Sequence, residues 1–384
     1  MKFKFNFSLR NVLLFSIPCA VVLIVGAVII FANLGTSADV YAPEPTPYLE
    51  PTRTPTPTPT PEPEPEPDLS PPEGMAISAL TGLYIPEEAA NRRPFAVVYN
   101  NEARAMPQAG LSQAEIIYEI IAEGATTRII AIFQDFDAEQ IGPVRSTRHY
   151  FTYFALDNYA IMAHHGGSPM GYDAIRSRSI PAIDGMAYDG TYFWRDAWRR
   201  QNRGLEHSSI TSAENLIDLA ETREIDLQAS EDLGMFLFFE EETAPWPQNI
   251  ANIVRVPHAG GNVTAFEYNP DDGLYYKYIF GNPQLDSNTD EQLTAANVIV
   301  QITGISHIPG DTEGRRNAVM VGEGSGFLAT RGTYTPITWQ KDSIHSPTRW
   351  YNADGTPLVI NRGTTWISVI SGEPIFEDFE NSDN

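Results

Sequence analysis

Arginine, histidine, glycine and hydroxyl side chains are concentrated between Gly142 and Ser168 of a 384-residue chain whose formal charge is −24. The stretch reads Gly142-Pro143-Val144-Arg145-Ser146-Thr147-Arg148-His149, then an apolar segment, then His164-His165-Gly166-Gly167-Ser168-Pro169. Guanidinium groups hold oxyanions through paired hydrogen bonds, and free backbone N–H groups at glycine turns and helix starts do the same. Histidine adds a proton carrier near neutral pH. The expected chemistry is recognition of a phosphate, carboxylate or sulfate by Arg145, Ser146, Arg148, His165, Gly166, Gly167 and Ser168.

The charge distribution agrees. Between Arg145 and His207 lie eight arginines against six acids, in a chain that is otherwise strongly acidic. Beyond the first four residues the lysines are Lys277 and Lys341 alone. Tyr188, Tyr192, Phe193, Trp194 and Trp198 interleave with the arginines, which suits stacking as well as forked contacts to oxyanions. Glu115, Glu119 and Glu123 are four apart and share one face of either a helix or a strand. A solvated face is the plain expectation; the sharper one makes Glu119 or Glu123 the partner of a site arginine.

Enzyme templates fit less well. His164 and His165 are adjacent, so on a strand they point to opposite faces and cannot both grip one metal; no metal site and no cofactor is expected. Gly167-Ser168-Pro169-Met170-Gly171 is one residue too long for a Gly-x-Ser-x-Gly nucleophile elbow. A hydrolase or transferase would use His164, His165 or His207 as base and Glu119 or Glu123 as its carboxylate partner, with Ser168 as a candidate nucleophile and arginines on the oxyanion. His258, His307 and His345 stand isolated and read as structural or surface residues.

These side chains need positioning elements. Phe95–Tyr99 and Arg128–Phe133 read as strands, and Ile116–Ile121 is apolar enough for either strand or helix. Pro143 cannot sit inside a helix, whereas Ser146 suits the N-cap of one running to Leu156. Tyr159–Ala163 reads as a strand that delivers the two histidines into a turn, with Ser168 as cap and Pro169 as the first residue of the next helix. Thr211 and Glu214 form a capping box. From Ile253 onward, short strands and turn signals indicate an antiparallel β region, and Gly322–Gly326 belongs to a hairpin there.

The rest of the composition sets the frame. At 42% hydrophobic and 11% aromatic residues the chain can bury a full core. Lys2, Lys4 and Arg10 precede an uncharged run, Val12 to Ala32, and about 20 such residues cross a bilayer as a helix. This predicts a single-pass signal anchor with residues 1–11 in the cytoplasm and everything later exported. Cys19 is the only cysteine, so no disulfide is expected; the apolar run continues past it, unlike a lipidation site. Residues 33–74 are rich in Pro, Thr and Glu and predict an extended linker. The folded part divides, on this reading, into an α/β domain at 75–245 and a β-rich domain at 246–384, an α+β chain overall. Its acidity excludes nucleic acid as a broad partner.

Several of these segments together resemble the YerB-like lipoprotein family: Asn101 with Pro107-Gln108-Ala109-Gly110-Leu111, Tyr118-Glu119 with Glu123-Gly124 and Thr127-Arg128, the Gly142–Arg148 run, and His165-Gly166-Gly167-Ser168. Asn297-Val298-Ile299-Val300 and Gly363-Thr364-Thr365-Trp366-Ile367 extend the likeness to about Ile370. The resemblance implies an envelope-attached bacterial protein with an α/β N-terminal part, a β-rich C-terminal part and no assigned reaction. It adds Asn101 and Arg128 to the ligand-binding set. The chain departs at Met106, where arginine is expected before Pro-Gln; Arg104 is the nearest substitute. The resulting expectation is a displayed binding protein for an anionic envelope ligand or a protein partner, with the hydrolase or transferase as the alternative.

Overall fold

A computed structural model of the chain describes residues 71–379, except 259, 260 and 262. The expected cytoplasmic start 1–11, the anchor 12–32 and nearly all of the linker 33–74 lie outside the described residues. Among the described residues, no helix is long and apolar enough to cross a membrane. All of them belong to one unit, Asp68–Asn384.

In chain order the principal elements of the first half are β1 (Phe95–Asn100), β2 (Ile116–Glu123), β3 (Thr126–Phe133), α1 (Thr152–Asp157), β4 (Ile161–His164), α2 (Pro169–Ser177), β5 (Ala182–Asp184), α3 (Ala197–Asn202) and α4 (Ala213–Thr222). The second half adds β6 (Ile253–Pro257), β7 (Val263–Asn269), β8 (Leu274–Ile279), β9 (Asn297–Ile302), β10 (Gly322–Thr330), β11 (Thr333–Lys341), β12 (Arg349–Asn352), β13 (Thr365–Ile370) and β14 (Ile375–Glu377).

Ten of these strands form one sheet in the order β12-β11-β10-β9-β13-β2-β3-β1-β4-β5. The joint between the halves is β13, which pairs in parallel with β9 on one side and with β2 on the other, Ser368 lying opposite Glu119. The boundary expected at 245/246 therefore does not separate two sheets, and the second half is not purely antiparallel. The reason is physical: β2 has an edge that only another strand can satisfy, and β13 supplies it. Both cores draw on both halves. One packs Phe95, Tyr99 and Leu216 with Phe266, Tyr275 and Trp366; the other packs Tyr118, Tyr150 and Phe154 with Trp339, Trp350 and Ile367.

The ambiguous run after Glu115 is a strand. β1 and β3 are buried along nearly their whole length, because the central sheet is covered on both faces and their apolar runs need not alternate. On one face Tyr118 stacks on Phe154 of α1 with ring centroids 4.3 Å apart. On the other lies a second sheet, β8-β7-β6-β14 in order, with the short strand Asn282–Pro283 at the β8 edge. Ile117, Glu119 and Ile121 of β2 alternate away from Tyr118 and face this second layer.

Local expectations fare unevenly. Ser168 caps α2, its Oγ accepting from the Gly171 N–H at 3.1 Å with Pro169 as the first helical residue. Ser146 caps no helix: α1 begins at Thr152, and the Ser146 hydroxyl donates to the His165 carbonyl at 3.1 Å. In α4 the cap is Ser212, not Thr211, because the Thr211 hydroxyl is turned to the Tyr192 carbonyl. Gly322–Gly326 is the start of β10 in a hairpin with β11.

A sheet shared by both halves should unfold as a unit. Calorimetry of the region from Asp68 onward is expected to give one cooperative transition; two separable transitions, one per half, would contradict the shared sheet.

Candidate functional site

The Gly142–Ser168 stretch forms two loops stitched together across the end of the sheet. Arg145 N donates to Val98 O at 2.8 Å and Val144 N to Ser209 O at 2.7 Å, laying the first loop beside β1. Gly142 sits at φ +141°, and a Cβ there would lie 2.7 Å from the Ser209 carbonyl, so glycine is required. His165 N donates to Arg145 O at 3.0 Å, Thr147 N to Gly166 O at 3.0 Å and Ser168 N to Thr147 O at 3.2 Å. The structure thus brings together the two segments singled out in the sequence.

Their charges are partly spent on one another. Glu123 takes a two-pronged contact from Arg148, Nε to Oε2 at 3.0 Å and Nη2 to Oε1 at 2.7 Å, and a second from Arg128 Nη2 at 2.5 Å. Arg128 also reaches the Ser146 carbonyl at 2.7 Å. Burial alone would raise the pKa of Glu123, but Arg128 and then Arg148 hold it below the usual carboxylate range. Glu123 is therefore the arginine partner, and Arg128 and Arg148 fix the loop rather than stand free. Arg145 differs. Among the described residues its side chain makes no hydrogen bond or ion pair, and its Nε is buried without an acceptor. Glu123, Glu206, His207 and Arg128 all feel its charge.

The candidate nucleophile and bases are occupied differently from the hydrolase reading. Ser168 Oγ is a helix cap. His165 packs against Arg195, Nη2 to Nε2 at 2.9 Å, with Asp189 at 3.9 Å. Burial, then Arg195, lowers its pKa. His164 is buried with Nδ1 2.8 Å from the Gly166 carbonyl. His207 Nδ1 lies 2.8 Å from Asn100 Nδ2 and Nε2 lies 3.5 Å from Glu206. None of these rings meets a serine or threonine hydroxyl. Among the described residues no cluster of His, Cys, Asp and Glu is arranged to hold a metal.

A second polar centre is built around Glu119; the sequence reading names Glu119 and Asn101 for other roles and misses Lys277 and His258. Glu119, wholly buried, accepts at Oε1 from Asn101 Nδ2 at 3.0 Å, Thr127 Oγ1 at 3.0 Å and Thr264 Oγ1 at 3.1 Å. His258 Nε2 is 3.5 Å from the same oxygen, and Lys277 Nζ is 3.5 Å from Oε2. The ammonium also lies 4.8 Å from the Trp366 ring centroid. Burial would raise the pKa of Glu119, but Lys277, then His258 and the two hydroxyls outweigh it and keep the carboxylate ionised below its usual range. Burial pushes Lys277 down to about 8, Glu119 only partly offsetting it. His258, read as an isolated residue, belongs here; burial lowers its pKa, and Glu119 opposes that. The available signal was lysine scarcity: both lysines of the folded region are buried and paired, Lys277 with Glu119 and Lys341 with Asp157 at 2.5 Å.

The network continues toward the surface. Gln108 Nε2 donates to Asn101 Oδ1 at 2.9 Å, and Gln284 Nε2 donates to Gln108 Oε1 at 3.1 Å. Asp286, also wholly buried, accepts from the backbone N–H of Gly110 at 2.9 Å and of Ser112 at 2.8 Å. The segment Pro107–Leu111 is thereby tied to the second half. Asn101, expected to bind ligand, is instead a buried link between the halves.

Two family descriptions match the chain: "Protein of unknown function (DUF3048) N-terminal domain" over residues 80–226, and the C-terminal domain of the same family over residues 254–367. A protein of Bacillus subtilis (strain 168) named "Putative lipoprotein YerB" is 34% identical over 295 residues, 76% of this chain and 85% of that one. The crystal structure of the YerB protein from Bacillus subtilis aligns with a TM-score of 0.70 at 30% identity, covering 79% of this chain and 100% of that chain.

Removing Glu119 would leave Lys277 buried and unpaired, which costs about 3–5 kcal/mol. Urea unfolding of Glu119→Ala is expected to show a loss of that order; a loss under about 1 kcal/mol would contradict the assignment. His258 is expected to titrate below 6.5, and lower still in Glu119→Gln, by imidazole NMR. Because the unfolded chain then takes up that proton first, this group makes stability fall as pH drops from 6.5 through its lowered pKa.

Proposed function

The chain belongs to the DUF3048 family, and we propose that this member is a membrane-attached, extracytoplasmic binding protein that holds an anionic cell-envelope ligand at the Arg145 corner. The observation that carries this reading is Arg145 itself: a cation with a buried, acceptor-free Nε, placed where the Gly142 loop meets His207 and the paired Arg128, Arg148 and Glu123. An unpartnered buried donor is costly, and an anion repays that cost. The Arg128 and Arg148 contacts to Glu123 hold the loop in place before a ligand arrives, which limits the ordering cost of binding. A hydrolytic role has less support, because Ser168 is spent as a cap and no histidine of the motif faces a hydroxyl.

The lipoprotein name carried by the Bacillus subtilis relative supports an envelope location, and on this proposal the Val12–Ala32 segment provides the attachment. Deleting residues 1–32 is expected to move the protein from the membrane to the soluble fraction; unchanged membrane retention would overturn the anchor.

The ligand claim is tested by thermal shift of the region from Gly74, against inorganic phosphate, a teichoic-type polymer and muropeptides, with native protein and Arg145→Ala. A ligand present at 100 times its Kd stabilises by about 2.7 kcal/mol, a readily measured rise in Tm. The native protein is expected to show such a rise with at least one probe and the variant to lose it. A shift that survives the substitution would overturn the site, and no shift with any probe would turn the reading toward a protein partner.

A further inference from the structure

A groove of about 290 Å³ opens between the turn at Ala103–Pro107 and the hairpin that follows β8. Ala103, Met106 and Pro107 form one wall; Ile279, Phe280 and Pro283 form the other, with Leu285 at its end. Arg203 stands at the rim and Gln284 in the floor. Neither wall is loose. Buried Arg199 clamps the first by donating to the Ala105 carbonyl at 2.9 Å and to the Pro107 carbonyl. On the second, Phe280 is held at φ +53°, an uncommon conformation for a bulky residue, and Asn282 Nδ2 donates to its carbonyl at 2.9 Å.

The polarity of the floor follows from the buried charge. The Glu119 carboxylate only accepts, so Asn101 must turn its NH₂ toward it and leave Oδ1 as an acceptor. Gln108 then donates to that oxygen, its own Oε1 accepts from Gln284 Nε2, and Gln284 Oε1 is left buried with no donor. At the rim the Arg203 guanidinium has no acid partner among the described residues; it lies 5.4 Å from the exposed Trp198 ring. The groove therefore combines an apolar lining with an unpaired cation, and one of its lining residues, Gln284, carries a buried acceptor without a donor.

We propose that this groove binds a short apolar peptide through its free C-terminal carboxylate, with the carboxylate on Arg203, apolar side chains between Met106 and Phe280, and a peptide N–H supplying the donor that Gln284 lacks. The volume is at the small end of ligand pockets, about 300–1,000 Å³, and suits a two-residue segment. This site does not depend on Arg145.

The test is calorimetric titration of the protein with N-acetyl-leucyl-leucine, its C-terminal amide, and octanoate. The acid is expected to bind and the amide to bind about tenfold more weakly, a difference of about 1.4 kcal/mol. Octanoate, which has a carboxylate but no N–H, should also be weaker. Arg203→Met should erase the difference between acid and amide, Ala103→Trp should fill the groove and abolish binding, and Arg145→Ala should leave it unchanged, with circular dichroism showing a native fold in each. Equal binding of acid and amide, octanoate as tight as the peptide, full binding by Ala103→Trp, loss of binding in Arg145→Ala, or no saturation at millimolar peptide would each overturn the proposal.

Discussion

A single buried carboxylate joins the two halves of this fold. Glu119 sits on β2, opposite Ser368 of β13, and draws Asn101 and Thr127 from the first half and Thr264, His258 and Lys277 from the second. A carboxylate in such a place is tolerated only when it is hydrogen-bonded and a cation is close: Oε1 takes the hydrogen bonds, and Oε2, which makes none, faces the Lys277 ammonium. That requirement couples segments far apart in the chain, and it explains why one sheet rather than two spans them. The same charge sets the direction of every amide in the Asn101–Gln108–Gln284 series.

The corner built by Gly142–Ser168 follows a different rule. Three arginines lie around one glutamate: two are ion-paired with it and one is left without a partner. Arg128 and Arg148 share Glu123, and Arg145 has no such partner. Rigid loops around an unsatisfied cation give an anion site its specificity, because the groups are positioned before the ligand arrives. Where a histidine of this corner could have become a base, an arginine, a carbonyl or an amide occupies it instead.

The sequence was most legible where local chemistry decides the outcome. Ser168-Pro169 announced a helix start, the apolar runs of β1 and β3 announced buried strands, and the concentration of polar residues marked two loops that do meet. It was least legible where partners come from a distance. Nothing near Glu119 in the chain reveals Lys277 or His258, so the four-residue spacing of Glu115, Glu119 and Glu123 suggested a solvated face. Glu115 in fact accepts from the backbone N–H groups of Gln134 and Asp135, with burial raising its pKa to about 8. The two family matches end and begin on either side of the boundary expected near Pro245, yet the strand pairing between β2 and β13 crosses it, because pairing does not follow composition.

The ionisation of Glu119 is the point on which the shared sheet and the amide polarity rest, and it offsets part of the fall that burial imposes on the pKa of Lys277. A carbon-detected NMR titration of its side-chain carboxyl measures that ionisation directly. The account predicts a midpoint below 4.5. A midpoint above 4.5 would mean that Lys277 and His258 do not hold the charge, and would contradict it.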